Sequence, residues 1–337
     1  MNRKKFIFIS GIAGFLGSHL AEWALAKGHR VAGCDNLSVG RKTNVPTGAE
    51  FYHYDLHDLE KNRKYTQDAD VIFHAAALPY DNLSLFSPYQ ITDHIYTITA
   101  SLLSAAIEND VKRFVFCSSM SRYGNASSPF TEDVSPSPVT PYGLAKVAGE
   151  NLIRTLAEVH KFEYVICVFH NIFGIRQIYN DPHRNAVSII INQMLQDRAP
   201  LVYGDGTQTR GFSPVKDVLG LFDDLLFSKK TVGEIINIGP DREVITINQL
   251  IEKLNKIMGK ALQPVYVKIR PGEVKEAVCN SDKARKLLNY CPQVSLDQSL
   301  EEMVAWIKDQ GPKNFSYNQK IEINNQYTPE VWTRKVF

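Results

Sequence analysis

The stretch "FISGIAGFLGSHLAEWALAKG" constrains this chain most. It sets Gly11, Gly14 and Gly17 between a β-rich run and a helical pattern from about Ser18 to Lys27, closed by Gly28. Strand, glycines and helix in that order let bare backbone approach a pyrophosphate while the helix N-terminus faces its charge. The same alternation continues through "RVAGCD", "EFYHYD", "DVIFHAA", a helix from about Asp93 to Asn109, "RFVFCSS", a helix beginning near Pro141 and "EYVICVFH". Parallel neighbours need crossover connections, so the expected fold is α/β, a doubly wound parallel (Rossmann) sheet.

After about residue 170 the pattern loosens into the polar loop "GIRQIYNDPHRN", a helix from about Asn185 to Gln196, the turn-rich "YGDGTQTRG", and helices near 246–258 and 296–309. The expected organisation is a dinucleotide-binding domain over 1–170, regaining segments near 210–240. A smaller C-terminal α/β substrate-binding lobe follows over 171–312, and then a tail over 313–337. The tail carries Tyr317, Tyr327, Trp332 and Phe337, which suit packing on the body or on a second subunit.

Lys and Arg number 38 against 36 Asp and Glu, so the net charge of +2 gives no electrostatic case for nucleic acid or an anionic membrane. An anionic ligand must be held by a local site. The apolar runs are far shorter than the roughly 20 residues that span a bilayer, and the basic-then-apolar start is read as a strand. Cys34, Cys117, Cys167, Cys279 and Cys291 are widely spaced without a CxxC pair. They are expected to be small buried hydrophobes in a reducing cytoplasm, and no metal site is expected.

Asp35 ends the second strand about twenty residues beyond the glycines, where a carboxylate accepts both ribose hydroxyls of an adenosine and repels a 2′-phosphate. NAD is therefore expected over NADP, although Arg41 and Lys42 follow closely. Phe15 and Leu16, within the glycine turn, and Asn36, next to Asp35, are also expected to bind the cofactor. Asp55 and Leu56 end the third strand at the adenine. Ala75 and Ala76 follow the fourth and let the chain pass beneath the cofactor, while His74 is read as a packed strand residue.

Pro141 suits the first turn of a helix on which Tyr142 and Lys146 lie one turn apart on one face. Ser119 comes from the neighbouring strand end, where sites of open α/β sheets form. A phenol is a poor base at neutral pH, but an ammonium and a positively charged nicotinamide stabilise its phenolate. Tyr142 is then the acid/base, Lys146 its electrostatic partner and ribose ligand, and Ser119 a donor to the substrate oxygen.

On these residues the sequence, from about 5 to 305, resembles the extended short-chain dehydrogenase/reductases, specifically the nucleotide-sugar epimerase/dehydratase family. The resemblance extends through "FHNIFGIRQ", "VYGDGTQTRGFSPVKDV" and "RPGEV". It implies that Asn171 meets the sugar-nucleotide diphosphate, that Arg210 and Arg270 bind its phosphates, that Glu273 reaches the nucleoside ribose, and that the protein is a homodimer. Two local guanidiniums suit a diphosphate on a near-neutral protein. Met120 and Ser121 are expected at the sugar, where the family's 4,6-dehydratases carry an Asp-Glu pair; their side chains disfavour dehydration and weaken a decarboxylase reading. Ile95 and Val168 replace a common Asn and Arg, and "LPYDNLSLFSP" is unusual in the loop over the sugar.

The expected activity is that of an NAD-dependent nucleotide-sugar 4-epimerase of UDP-hexose type, acting through a transient 4-keto sugar. The alternatives are a dehydrogenase that releases the keto sugar and a non-enzymatic dinucleotide-binding scaffold.

Overall fold

The structure, a computed structural model, describes residues 4–337. Strands β1 (Phe6–Ser10), β2 (Arg30–Asp35), β3 (Glu50–His53), β4 (Val71–His74), β5 (Arg113–Ser119) and β6 (Glu163–Phe169) form where the sequence predicts them. A seventh strand, Glu234–Ile238, not singled out in the sequence, pairs with β6 through Ile236 opposite Cys167. Every pairing is parallel, in the order seventh, β6, β5, β4, β1, β2, β3. That arrangement brings the C-terminal ends of β1, β4 and β5 side by side at the point where the strand order reverses.

The β1 run is buried throughout, as a strand covered on both faces must be. Ile7, Ile9, Val115, Val165 and Ile236 face the helix Phe15–Ala26 and residues 218–226. Phe8, Ile72, Phe114 and Ile166 face the helices Ile98–Glu108 and Pro141–His160. Burying each such side chain contributes roughly 1.5–3 kcal/mol.

The first helix begins at Phe15 rather than Ser18, directly on the glycine turn, and no side chain caps it. Gly28, with φ +79°, follows its end. The helix expected from Asp93 is preceded by a helical turn from Pro88 and starts with a π turn over Asp93–Thr97 before the α-helix Ile98–Glu108. Ile95 in that turn is buried with Ile91 and Tyr142, so an apolar residue there is packed against the site.

Beyond β6 the helices Ala186–Leu195, Ile247–Met258 and Leu296–Gln310 share a separate core built from Ile190, Leu250, Leu254, Leu300 and Met303. The tail packs on the body: Glu322 accepts from the backbone N–H groups of Tyr89 and Gln90, and Trp332 Nε1 donates to the Tyr203 hydroxyl at 2.8 Å. Cys34, Cys117, Cys167 and Cys279 are buried, whereas Cys291 is exposed, against expectation, because it lies in the exposed segment before the helix Leu296–Gln310. Among the described residues no helix is long and apolar enough to cross a membrane.

Candidate active site

Two clefts, of about 270 Å³ and about 360 Å³, meet where Ser119, Tyr142 and Arg184 line both. The first runs over the glycine turn. A Cβ on Gly17 would lie 2.2 Å from the Gly11 carbonyl oxygen, and one on Gly11 would lie 2.9 Å from the Ala76 amide, so neither position has room for a side chain. The uncapped start of the helix at Phe15 and Leu16 borders the same cleft and leaves backbone N–H groups to meet an anion. These features fit a dinucleotide's pyrophosphate.

Asp35 is held by backbone: its carboxylate accepts from Leu37 N at 2.8 Å and Ala13 N at 3.2 Å. Burial raises its pKa while those two donors oppose the shift. Arg41, which follows Asp35 closely in sequence, donates through Nη2 to Asn180 Oδ1 at 3.2 Å and lies over the Tyr179 ring. Asp55 accepts from Asn36 Nδ2 at 2.7 Å and from His57 N at 3.0 Å, and it borders the first cleft with Asn36 and Leu56. Asp55, His57 and His94 bring ligating atoms within 4.8 Å of one another, a grouping the sequence did not reveal. They are engaged with one another, since His57 Nδ1 is within hydrogen-bond distance of Asp55. His74 is a packed strand residue between Ser10 Oγ at 2.6 Å and Thr99 Oγ1 at 2.9 Å.

Thr140 caps the helix Pro141–His160 by accepting from Gly143 N at 3.1 Å, and Pro141 occupies its first turn. Tyr142 and Lys146 follow on the buried face, 8% and 4% exposed. Lys146 Nζ donates to the Cys117 carbonyl at 2.7 Å; burial lowers its pKa to about 8, opposed by Cys117 and Glu150. Burial and then the Asp81 charge push the Tyr142 phenol up, while the Ser119 hydroxyl opposes them. The cationic charges assigned to the phenolate must therefore outweigh both effects.

The second cleft gathers the other expected residues. Glu273 bridges the two arginines, with Arg210 Nη2 at 2.7 Å from one carboxylate oxygen and Arg270 Nε at 2.7 Å from the other. Burial works to raise the Glu273 pKa, but Arg270 and Arg210 hold it below the usual range. Asn171 lines the cleft and donates to the Gly211 carbonyl at 3.1 Å, leaving its Oδ1 for other contacts. Met120 and Ser121 also line it.

Two residues were missed. Asp81, in "LPYDNLSLFSP", accepts from the Ser121 hydroxyl at 2.7 Å and from the Thr140 hydroxyl, so a carboxylate stands beside Ser121 after all, supplied by another loop. The oddity of that loop was a signal without a role. Arg184 lies in the polar loop before Asn185, and its Nε and Nη1 are buried without a partner. Nothing in its spacing marked it.

Residues 7–239 match the model of the NAD dependent epimerase/dehydratase family. The UDP-glucose 4-epimerase of Mycolicibacterium smegmatis is 30% identical over 89% of this chain and 98% of its own length. Among solved structures, the UDP-glucose 4-epimerase of Thermotoga maritima with UDP-glucose superposes with a TM-score of 0.85 at 30% identity, covering 90% of this chain and 99% of that one. The UDP-glucuronic acid 4-epimerase of Bacillus cereus, in complex with UDP-glucuronic acid and NAD, gives 0.85 at 32%, covering 91% and 100%. With a sheet whose strand order reverses above a glycine turn, and with Ser119, Tyr142 and Lys146 at that reversal, the chain belongs to the NAD-dependent epimerase/dehydratase family.

Proposed function

We propose that this protein is an NAD-dependent 4-epimerase of UDP-sugars. The observation that carries the reading is the convergence of Ser119, Tyr142 and Lys146 at the junction of two clefts, one suited to a dinucleotide and the other to a sugar nucleotide. Relatives named as UDP-sugar 4-epimerases support it, and they favour epimerisation over release of an oxidised sugar.

Gly11, Gly14 and Gly17 would hold the NAD pyrophosphate, with Phe15, Leu16, Ala75 and Ala76 along its edge; Asp35 and Asn36 the adenosine ribose; and Asp55 and Leu56 the adenine. NAD supplies the group that takes up and returns a hydride at the sugar carbon. Tyr142 takes the 4-hydroxyl proton and gives it back, Ser119 donates to the same oxygen, and protonated Lys146 favours the phenolate. Arg210 and Arg270 clamp the diphosphate, and Asn171 and Glu273 orient the nucleotide. Positioning is the protein's main contribution, because the keto sugar must turn over without leaving.

The proposed domains are 1–170 with residues of 210–240 for the cofactor, 171–312 for the nucleotide sugar, and 313–337 as a tail, although Ala284, Leu288 and Tyr290 pack into the core of the parallel sheet. A homodimer is proposed through helices including those near 95–109 and 141–160, where Tyr96, Leu144 and Val159 are exposed. The four buried free thiols suit a reducing cytoplasm.

The test is product NMR on the purified protein with UDP-glucose, UDP-galactose and their N-acetyl and uronic forms. The expected result is interconversion of one 4-epimer pair, lost about 10²–10⁴-fold in Tyr142→Phe. Accumulation of a free 4-keto sugar, or turnover indifferent to that substitution, overturns the reading.

A further inference from the structure

We infer that Asp81 sets the charge of the sugar this site accepts, selecting an uncharged hexose over a hexuronate. This rests on the proposed UDP-sugar 4-epimerase reading and narrows its substrate class. The named relatives divide on that property, since both glucose and glucuronate 4-epimerases are among them.

Asp81 lines only the second cleft, and its position is determined from three sides. One carboxylate oxygen accepts from the Ser121 hydroxyl at 2.7 Å, and the other accepts from the Thr140 hydroxyl at the start of the Tyr142 helix. Its own carbonyl accepts from Ser84 Oγ, which in turn accepts from Tyr142 N at 3.0 Å. Burial raises the Asp81 pKa, while the Thr140 and Ser121 hydroxyl donors and then the Arg270 charge oppose that rise and favour the carboxylate. Each oxygen retains a lone pair that a neutral sugar hydroxyl satisfies. A second carboxylate brought into the same half-buried cleft meets like charge and loses water at once.

Three cations line the same cleft. Arg210 and Arg270 are shared with Glu273. Arg184 lines both clefts beside Tyr142, has unpartnered N–H groups and stands over the Tyr80 ring at 5.4 Å, so it is the cation against which the Asp81 charge is weighed in the test below.

The test is calorimetric titration of the cofactor-loaded full chain with UDP, UDP-glucose and UDP-glucuronate. Wild type is expected to bind UDP-glucose at least about tenfold tighter than UDP-glucuronate. Asp81→Asn should narrow that ratio about tenfold, chiefly by gaining UDP-glucuronate, with UDP affinity reporting that the cleft is intact; Asp81→Ser serves if the amide disturbs folding. Equal or tighter binding of UDP-glucuronate by wild type, above all if lost in Arg184→Gln, overturns the inference, as does a ratio indifferent to both Asp81 variants. Release of a 4-keto-6-deoxy sugar that depends on Asp81 also overturns it, by making the group a proton carrier. Binding is read whether or not the sugar turns over, so a failure to epimerise overturns the catalytic reading while the ratio still decides Asp81.

Discussion

Lys146 Nζ lies 5.8 Å from the centre of the Tyr142 ring, one helical turn away, and its nearest acceptor is the carbonyl oxygen of Cys117 on the neighbouring strand. The amine is thus tied to the sheet while its charge faces the phenol.

Burial lowers the Lys146 pKa to about 8, so its proton is lost as pH rises through that value. Activity is expected to fall above about pH 8, and Lys146→Arg, which stays protonated, should lose that limb of the kcat/KM profile whatever its residual rate. The stability sign is opposite. An unfolded lysine keeps its proton to about pH 10.4, so between about pH 8 and that value the unfolded chain binds more protons and stability rises with pH. Thermal melts of cofactor-stripped protein from pH 8 to 10 check this, and Lys146→Met should flatten the rise.

Gly17→Ala would drive a Cβ to 2.2 Å from the Gly11 carbonyl oxygen, a backbone atom that cannot swing aside. The expected cost is on the order of 3 kcal/mol, with loss of bound dinucleotide. Gly14→Ala, whose Cβ would stand 3.0 Å from the same oxygen, should be milder. Melting temperatures and the cofactor content of purified variants separate the two.

Asp35 lines the first cleft, where it is proposed to hold the adenosine ribose, while Arg41 donates to Asn180. Asp35→Ser is expected to weaken NAD binding and to shift the NAD-to-NADP preference by at least about tenfold. Parallel titrations with both dinucleotides give the ratio.

Glu273 balances two guanidiniums. Arg270→Ala should raise the KM for the nucleotide sugar by about 10–100-fold with a smaller change in kcat, because a phosphate contact made equally in ground and transition states is uniform binding. A kcat that falls with KM unchanged would contradict a phosphate-binding role.

The strands and their crossover helices were legible because burial on both faces demands near-continuous apolar runs, and the glycine turn because backbone approach excludes side chains. Tyr142 and Lys146 were legible through helical spacing, with Pro141 marking the helix start. Glu234–Ile238 was less so, because a strand of five residues far from its partner in sequence differs little from a buried helix segment.

What the sequence determined by itself is therefore local: the strand periods, the bare turn, and a tyrosine one turn from a lysine. What only the tertiary structure decided is which charges meet. Asp81 is 40 residues from Ser121 and 59 from Thr140, yet hydrogen-bonds both. Arg210 is 63 residues from the Glu273 that pairs with it. Spacing reports geometry within one element, whereas Coulomb energy depends on separation in space, which arises only when the loops at the sheet's C-terminal edge fold over one another.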